Sequence, residues 1–191
     1  GSSLAMNDCI IRENTGGLAI VCALQNGSTL TMDNCLVHDN TATTNGAGGI
    51  IQAAGGGFDL TNCTFANNTL GGSFSSALTD TWDAATVTNC VIWGTKSGKA
   101  LDRCGTVSCS LIFDNDGGDE SPCFNLAGDG NQSSDPGFCD PDNRDYRIAS
   151  NSPCLPAYSG ACGLIGATGN GGCTLVATES LNFGSVKALY R

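Results

Sequence analysis

The sequence has 191 residues, a length that suits one ordinary domain or a modest repeat array. Lys and Arg total 8 against 18 Asp and Glu, and the formal charge of −10 argues against nucleic-acid binding and against docking on an anionic membrane. The 27 glycines favour short strands and tight turns over a helical bundle, and no stretch reaches the roughly 20 apolar residues of a membrane-spanning helix.

Five segments in the first part of the chain align on a cysteine. Three of them place an asparagine five residues after that cysteine, at Asn14, Asn40 and Asn68. Between the aligned segments lie four apolar runs that open with Gly, at residues 16–22, 48–51, 71–74 and 98–101. The pattern predicts two short strands in each repeat. The aligned cysteines are Cys9, Cys35, Cys63, Cys90 and Cys109, with spacings of 26, 28, 27 and 19 residues.

A repeat of about 27 residues made of short strands and polar corners matches one coil of a parallel β-helix. Stacked coils lie about 4.8 Å apart, so like residues stack on like. We therefore expect an all-β solenoid of about five coils over residues 1–120. The five aligned cysteines would form an inward column, and Asn14, Asn40 and Asn68 a hydrogen-bonded ladder.

The Gly-Gly openings and the Phe65-Ala-Asn-Asn68 segment resemble bacterial right-handed parallel β-helix repeat proteins. That pectate-lyase-like group includes polymorphic outer-membrane proteins and many secreted surface proteins. The resemblance covers roughly residues 1–120, and it implies a right-handed solenoid that acts outside the cell or on its surface.

The C-terminal part also resembles the closing segment of such proteins, through Asp135-Pro-Gly-Phe138, Asp145-Tyr-Arg147 and Ser152-Pro-Cys154. We expect residues 121–167 to form a loop-rich, disulfide-stapled cap over the open end of the solenoid, because an open end exposes strand edges. Residues 168–191 are expected to be a linker and a tail strand. The strand expected by residue 5 suggests that earlier coils and a signal peptide precede this sequence in a longer secreted protein.

Twelve cysteines are too many for a typical cytosolic chain, and the absence of C-x-x-C with a single histidine excludes the usual zinc patterns. The cysteines outside the repeat include the disulfide candidates. The preferred pairs are Cys123–Cys139 and Cys154–Cys162, because each would close a loop-rich segment, although connectivity cannot be deduced from sequence.

Catalytic motifs are sparse. The single histidine, His38, lies at a corner and is expected to be a solvated turn residue, which leaves no Ser–His–Asp arrangement. Pectate lyases and polygalacturonases share the expected fold, but their sequence motifs are not found here. Weak candidates for such chemistry are Lys96, Lys99, Arg103, Asp80 and Asp83, which are more simply explained as solvated coil surface.

Two acidic runs could in principle hold Ca²⁺ through carboxylate oxygens. They comprise Asp114, Asp116, Asp119 and Glu120, and then Asp140, Asp142 and Asp145. Neither matches an EF-hand, and no other cofactor is expected. Thr31, Thr61 and Thr88 are expected to stack one coil apart, a single column that is too little for an ice-binding face.

The function predicted from these features is a non-catalytic extracellular or cell-surface module for adhesion, display or glycan contact. Its partners would be a glycan or a surface protein, since solenoids offer extended rows of side chains. The alternative is a polysaccharide lyase or glycoside hydrolase of the pectate-lyase-like superfamily.

Overall fold

The chain is an all-β parallel β-solenoid in the computed structural model, which describes residues 1–25, 27–44, 48–72, 75–80, 85–103, 105–119, 128–169 and 171–173. The first coil contains β1 (Ser3–Asn7), β2 (Ile10–Arg12), β3 (Thr15–Gly16) and β4 (Ala19–Gln25). The second contains β5 (Thr29–Asp33), β6 (Leu36–His38), β7 (Thr41–Ala42) and β8 (Gly49–Ala54). The third contains β9 (Gly57–Thr61), β10 (Thr64–Ala66), β11 (Thr69–Leu70) and β12 (Ser76–Asp80).

Later coils are less complete. The fourth contains β13 (Thr86–Thr88), β14 (Val91–Trp93) and β15 (Lys99–Asp102), and the fifth contains β16 (Thr106–Ser108) and β17 (Leu111–Phe113). An antiparallel pair follows, β18 (Phe138–Asp140) and β19 (Asp145–Ile148), with short 3-10 helices at Pro141–Asn143 and Gly160–Cys162. Each coil therefore holds up to four strands, whereas the sequence predicted two.

Equivalent strands of successive coils pair in parallel register and form four sheets. Sheet A stacks β1, β5, β9, β13 and β16, and sheet B stacks β2, β6, β10, β14 and β17. Sheet C contains β3, β7 and β11, and sheet D contains β4, β8, β12 and β15. The predicted strand at residues 71–74 is displaced. Gly71 and Gly72 form a bend, residues 73–74 lie outside the described residues, and Ser76 of β12 pairs with Gly49.

About three coils are complete, rather than the five predicted, because only three supply a strand to all four sheets. Residues 67–75 connect sheet B to sheet D in the third coil, and this length accommodates β11. In the fourth coil residues 94–98 make the same connection, and sheet C is represented there by an isolated bridge between Thr69 and Lys96. The shortened connection ends sheet C.

The solenoid interior is filled by inward side chains at alternate strand positions, such as Leu30, Leu60 and Val87 of sheet A and Phe65 and Ile92 of sheet B. This alternation follows from the two-residue period of a strand. The core is continuous along the coils.

A column of small side chains lines the corner between sheets A and B, at one position in each coil. We call it the cysteine column: Cys9, Cys35, Cys63, Cys90 and Ser110. The backbone N–H of Cys63 donates to Sγ of Cys90 (3.4 Å), and the N–H of Cys90 donates to Oγ of Ser110 (3.1 Å). Cys90 and Ser110 thus each accept a hydrogen bond from the coil before them.

Cys109 does not belong to this column, contrary to the sequence alignment. Thr106–Ser108 pairs in register with Thr86–Thr88, so Cys109 aligns with Asn89 and Ser110 with Cys90. Cys109 has φ of 50° and Asn89 has φ of 53°, the left-handed conformation of the sharp corner that ends sheet A. The alignment on Cys109 was therefore one residue out of register.

The left-handed corners occur twice in each coil. After sheet A they lie at Asp8, Asn34, Asn62, Asn89 and Cys109, and after sheet B at Glu13, Asp39, Asn67, Gly94 and Asp114. Asn, Asp and Gly tolerate this conformation better than other residues, which explains the polar corners of the sequence.

Asn14, Asn40 and Asn68 form a hydrogen-bonded ladder just after the second corner. Nδ2 of Asn14 donates to Oδ1 of Asn40 (3.0 Å), and Nδ2 of Asn40 donates to Oδ1 of Asn68 (3.1 Å). The backbone N–H groups of Asn14 and Asn40 donate to the same two oxygens, at 3.1 and 3.0 Å. Each amide therefore ties one coil to the next.

The ladder continues through Thr95 and Asn115, because Oδ1 of Asn115 accepts from the N–H of Thr95 (2.9 Å). Asp119 then takes the position that a sixth ladder residue would occupy. Its Oδ1 accepts from the N–H of Asn115 (3.1 Å) and from Nδ2 of Asn115 (2.6 Å). Asp119 thus terminates the ladder.

Residues 136–169 and 171–173, the C-terminal layer, pack against the outer face of sheet B. Phe138, Tyr146, Ile148, Cys154 and Ile165 of the layer form a second apolar cluster with Ala66, Val91 and Leu111 of the coils. The predicted cap is therefore in part a lateral cover. Residues 129–132 lie over the open end of sheets A and B, where the N–H of Cys109 donates to the carbonyl of Asp129 (2.7 Å) and Leu111 bridges in parallel to Gln132. Residues 116–118 cap the end of sheet D. The N–H of Gly117 donates to the carbonyl of Gly98, and the N–H of Ala100 donates to the carbonyl of Gly118.

Gly166 shows how closely the layer approaches the coils. Its N–H donates to the carbonyl of Asn89 (2.7 Å), and its φ is +91°. A Cβ at this position would lie 2.7 Å from Oγ1 of Thr64 and 2.9 Å from Cγ2 of Val91. Only glycine fits this approach.

Two disulfides hold this layer, and they differ from the preferred pairs of the sequence analysis. Cys109 is bonded to Cys162, and Cys139 to Cys173. Cys154, predicted to pair with Cys162, is a buried free thiol, and Cys123 lies outside the described residues. The register of the fifth coil explains the difference, because the corner position points Cys109 away from the core and toward the layer.

The predicted linker at residues 168–172 is also part of the layer. The N–H of Ile148 donates to the carbonyl of Gly169 (3.2 Å), and the N–H of Gly171 donates to the carbonyl of Ile148 (2.8 Å). The predicted tail strand, in residues 174–191, lies outside the described residues.

Candidate functional site

The outer face of sheet A carries two straight rows of small side chains, all polar except Ala5, that are exposed or half-buried and alternate with the inward core residues. We call this surface the polar face. One row is Ala5, Thr31, Asp59, Thr86 and Thr106, and the other is Asn7, Asp33, Thr61, Thr88 and Ser108. The parallel register fixes both rows at the strand spacing of about 4.8 Å.

Neighbouring coils hydrogen-bond along these rows. Oγ1 of Thr86 donates to Oδ1 of Asp59, and the hydroxyls of Thr88 and Ser108 lie 3.3 Å apart. Nδ2 of Asn62, at the adjoining corner, donates to Oδ1 of Asp33 (3.2 Å). These contacts hold the side chains in fixed positions, so the face is organised before any ligand arrives.

The threonines lie in two rows, not in the single column expected from the sequence. Thr61 and Thr88 are directly paired, but Thr31 pairs with Asp59 in the neighbouring row. The repeat spacing located these residues on one sheet but not their register, which needs the strand pairing.

A second group of polar side chains, the polar cluster, joins the C-terminal layer to the coils: Glu13, His38, Asp39, Arg144 and Tyr146. Nδ1 of His38 lies 2.7 Å from Oδ2 of Asp39, and the Tyr146 hydroxyl donates to the same oxygen (3.2 Å). Arg144 pairs with Glu13 (2.5 Å) and approaches Asp39 (3.5 Å). His38 is 3% exposed, so it is not the solvated turn residue expected from the sequence.

The hydrogen bonds of the polar cluster control its ionisation. Burial alone would raise the pKa of Asp39, but hydrogen bonds from His38, Asn67 and Tyr146 outweigh it and hold that pKa below the ordinary 3.8. Burial, and then the neighbouring Asp39 charge, raises the pKa of Tyr146 well above its ordinary value. Asp39 is therefore a stable carboxylate that fastens the layer to the second coil.

Of the five weak catalytic candidates, the structure describes the side chains of three. Lys96, Lys99 and Arg103 are exposed, and none of them takes part in an ion pair found among the described residues. Asp80 ends β12 with its backbone beside Ala53, and Asp83 lies outside the described residues.

Several acidic residues considered as calcium ligands hydrogen-bond within the protein instead. Asp119 ends the Asn ladder, and Oδ2 of Asp116 accepts from the N–H of Ser97 (2.9 Å). Asp140 accepts from Nδ2 of Asn143 (2.8 Å), and Asp145 binds the Arg147 guanidinium through both carboxylate oxygens (2.8 and 2.6 Å).

Asp114 and Asp142 are exposed, and Glu120 lies outside the described residues. In the described ranges no three His, Cys, Asp or Glu side chains gather where a metal ion could be held. The same part of the chain has no helix whose length and apolar character would let it cross a membrane.

The fold and the polar face define a parallel β-solenoid with one organised polar surface and one surface covered by its own C-terminal layer. Comparison with protein-family models, curated proteins and solved structures found no match.

Proposed function

We propose that this chain is a secreted or cell-surface binding module that contacts an extended polar ligand, such as a glycan, through the polar face. It would be a non-catalytic adhesion or display unit of the bacterial, right-handed, pectate-lyase-like kind that the sequence resembles. The single observation that carries the proposal is the pair of exposed polar rows on sheet A.

The geometry of the rows favours a repeating ligand. From the second coil onward, a polymer that lies across the strands meets one hydroxyl or carboxylate side chain of each row at every coil, about every 4.8 Å. Solenoids use such extended surfaces to bind long partners, because each coil adds a similar contact.

The cysteines support an extracellular location. Two disulfides staple the C-terminal layer, and disulfides persist mainly in oxidising compartments. The thiols of Cys35, Cys63, Cys90 and Cys154 are buried, and burial raises the pKa of Cys35 to about 11 and of Cys154 to about 12. Buried thiols are shielded from oxidants and react slowly, so free cysteines inside the core are compatible with an oxidising medium.

Binding to a panel of neutral, cationic and anionic oligosaccharides tests the proposal. The variant Thr31→Val/Thr106→Val removes two exposed hydroxyls from one row and keeps β-branched side chains that suit a strand. The matched control is Thr15→Val, an exposed threonine on sheet C. We expect the double variant to weaken binding of any ligand found and the control to retain it.

Failure of every oligosaccharide to bind, or binding that ignores the double variant, would overturn glycan contact at the polar face. The catalytic alternative is read from the same mixtures as unsaturated or reducing ends. Product formation that is lost in Lys99→Ala or Arg103→Ala would replace the binding proposal by the enzyme.

A further inference from the structure

The charge of the polar face restricts the glycan that it can hold. The five strands of sheet A contain two charged residues, Asp33 and Asp59, and no Lys or Arg. Both side chains are exposed. The protein as a whole carries a formal charge of −10, so the surrounding field reinforces that of the face.

The two carboxylates are diagonal neighbours at the centre of the sheet. Asp33 pairs with Thr61, and Thr31 pairs with Asp59, so each carboxylate stands beside a threonine of the other coil. One oxygen of each is held laterally, Asp33 by Asn62 and Asp59 by Thr86. The second oxygen of each has no hydrogen-bond partner within the described residues and is oriented by the first.

We infer that the polar face selects a polysaccharide of unacetylated amino sugars, whose ammonium groups pair with Asp33 and Asp59 while ring hydroxyls meet the threonine rows. This inference rests on the proposed function and names its ligand class. The ammonium group of an amino sugar has three N–H donors, and one of them can donate to a carboxylate oxygen that is held in a fixed orientation. A uronic acid polymer, the substrate type of pectate lyases, meets like charge at both positions and is disfavoured.

The experiment measures binding of three hexamers to the full chain at pH about 5.5, where amino sugars are protonated: β-linked glucosamine, its fully N-acetylated counterpart and galacturonate. We expect glucosamine to bind tightest, with an affinity that falls as salt rises from about 0.05 to 0.5 M. The variant Asp33→Asn/Asp59→Asn should weaken glucosamine binding by about threefold to thirtyfold, since each exposed ion pair contributes modestly.

Asparagine keeps the oxygens that accept from Asn62 and Thr86, so the rows remain organised in this variant. The matched control, Asp114→Asn/Asp142→Asn, removes the same charge from exposed positions outside sheet A. It should leave glucosamine binding within about twofold. A circular dichroism spectrum and melting temperature confirm that both variants fold.

The outcomes separate the two proposals. Tightest binding of galacturonate, equal binding of the acetylated and unacetylated hexamers, or no effect of Asp33→Asn/Asp59→Asn overturns the amino-sugar inference and leaves glycan contact standing. Equal loss in the control variant assigns the effect to net charge and also overturns it. Binding of none of the three hexamers or of the wider panel overturns both proposals.

Discussion

Removal of the Asn40 side chain should destabilise the solenoid more than any other single change in the ladder of comparable size. Asn40 is fully buried, and its Oδ1 accepts from the N–H and Nδ2 of Asn14. Its Nδ2 donates to the carbonyls of Ile11 (2.9 Å) and His38 (3.0 Å) and to Asn68 Oδ1 (3.1 Å). Asn40→Ala therefore deletes five hydrogen bonds and leaves buried partners unpaired.

Net contributions of about 0.5–1.5 kcal/mol for each of the five bonds give an expected loss of about 2.5–7.5 kcal/mol in the free energy of unfolding. Asn14→Ala is the matched control. Asn14 is exposed, and its Nδ2 donates to the Arg12 carbonyl and to Asn40, so its loss should be about 1 kcal/mol. Asn14 and Asn40 occupy the same position in successive coils, but they differ in burial and in the number of hydrogen bonds that the side chain makes.

Urea unfolding followed by circular dichroism and by tryptophan fluorescence measures both variants, and coincident transitions are needed to convert midpoints into free energies. A loss in Asn40→Ala no greater than that in Asn14→Ala would refute the reasoning. It would mean that stacking of the coils is carried by the core and the strand pairing, with the ladder contributing little.

Three further predictions follow from the contacts of the C-terminal layer and the cysteine column. Cys109→Ser/Cys162→Ser should lower the melting temperature, because the bond closes a separation of 53 residues, worth about 4 kcal/mol by chain entropy; an unchanged melting temperature would contradict this. Tyr146→Phe should cost about 1 kcal/mol at pH 7 through the lost bond to Asp39. The stability that the Asp39 carboxylate contributes is complete above its unfolded pKa near 4 and is lost as pH falls through its lowered folded pKa. The difference in melting temperature between Tyr146→Phe and the unmodified protein should therefore shrink toward pH 2. A difference that stays constant with pH would argue against the hydrogen bond. A thiol reagent at pH about 8 should modify half-buried Cys9 faster than the other thiols of the column, as mass spectrometry of digests would show, and uniform rates would contradict the burial argument.

The repeat could be predicted from the sequence because its spacing and composition both reflect stacking. Cysteines 26 to 28 residues apart and Asn14, Asn40 and Asn68 at one offset already specify parallel coils. The sequence alignment of the fifth copy was wrong because Cys109 lies one residue before the column position. A shift of one residue moves a side chain to the other side of the strand. Strand pairing alone distinguishes Cys109 from Ser110.

The disulfides and His38 could not be predicted for a different reason. Both depend on where the C-terminal layer lies, and that segment has no periodicity that fixes its position on the coils. Once the layer covers sheet B, His38 is buried against Tyr146, with ring centroids 4.8 Å apart, and Cys162 reaches Cys109. A corner histidine is solvated only if nothing packs over it.

The contrast between sheets A and B nevertheless contains a signal for that layer. Outward positions of sheet A are mostly small and polar, as at Thr31 and Thr88. Sheet B has two outward rows: Ile10, Leu36, Thr64, Val91 and Leu111 form one that is apolar except at Thr64, and Arg12, His38, Ala66, Trp93 and Phe113 form one that becomes apolar in the later coils. An outward apolar row in a solenoid is costly unless something covers it, since about 25 cal/mol is lost for each Å² of apolar surface left in water. Comparing the outward residues of the two sheets therefore identifies the covered face and the face that remains available to a ligand. The signal is clearest in the later coils, where Trp93 packs edge-on against Phe138.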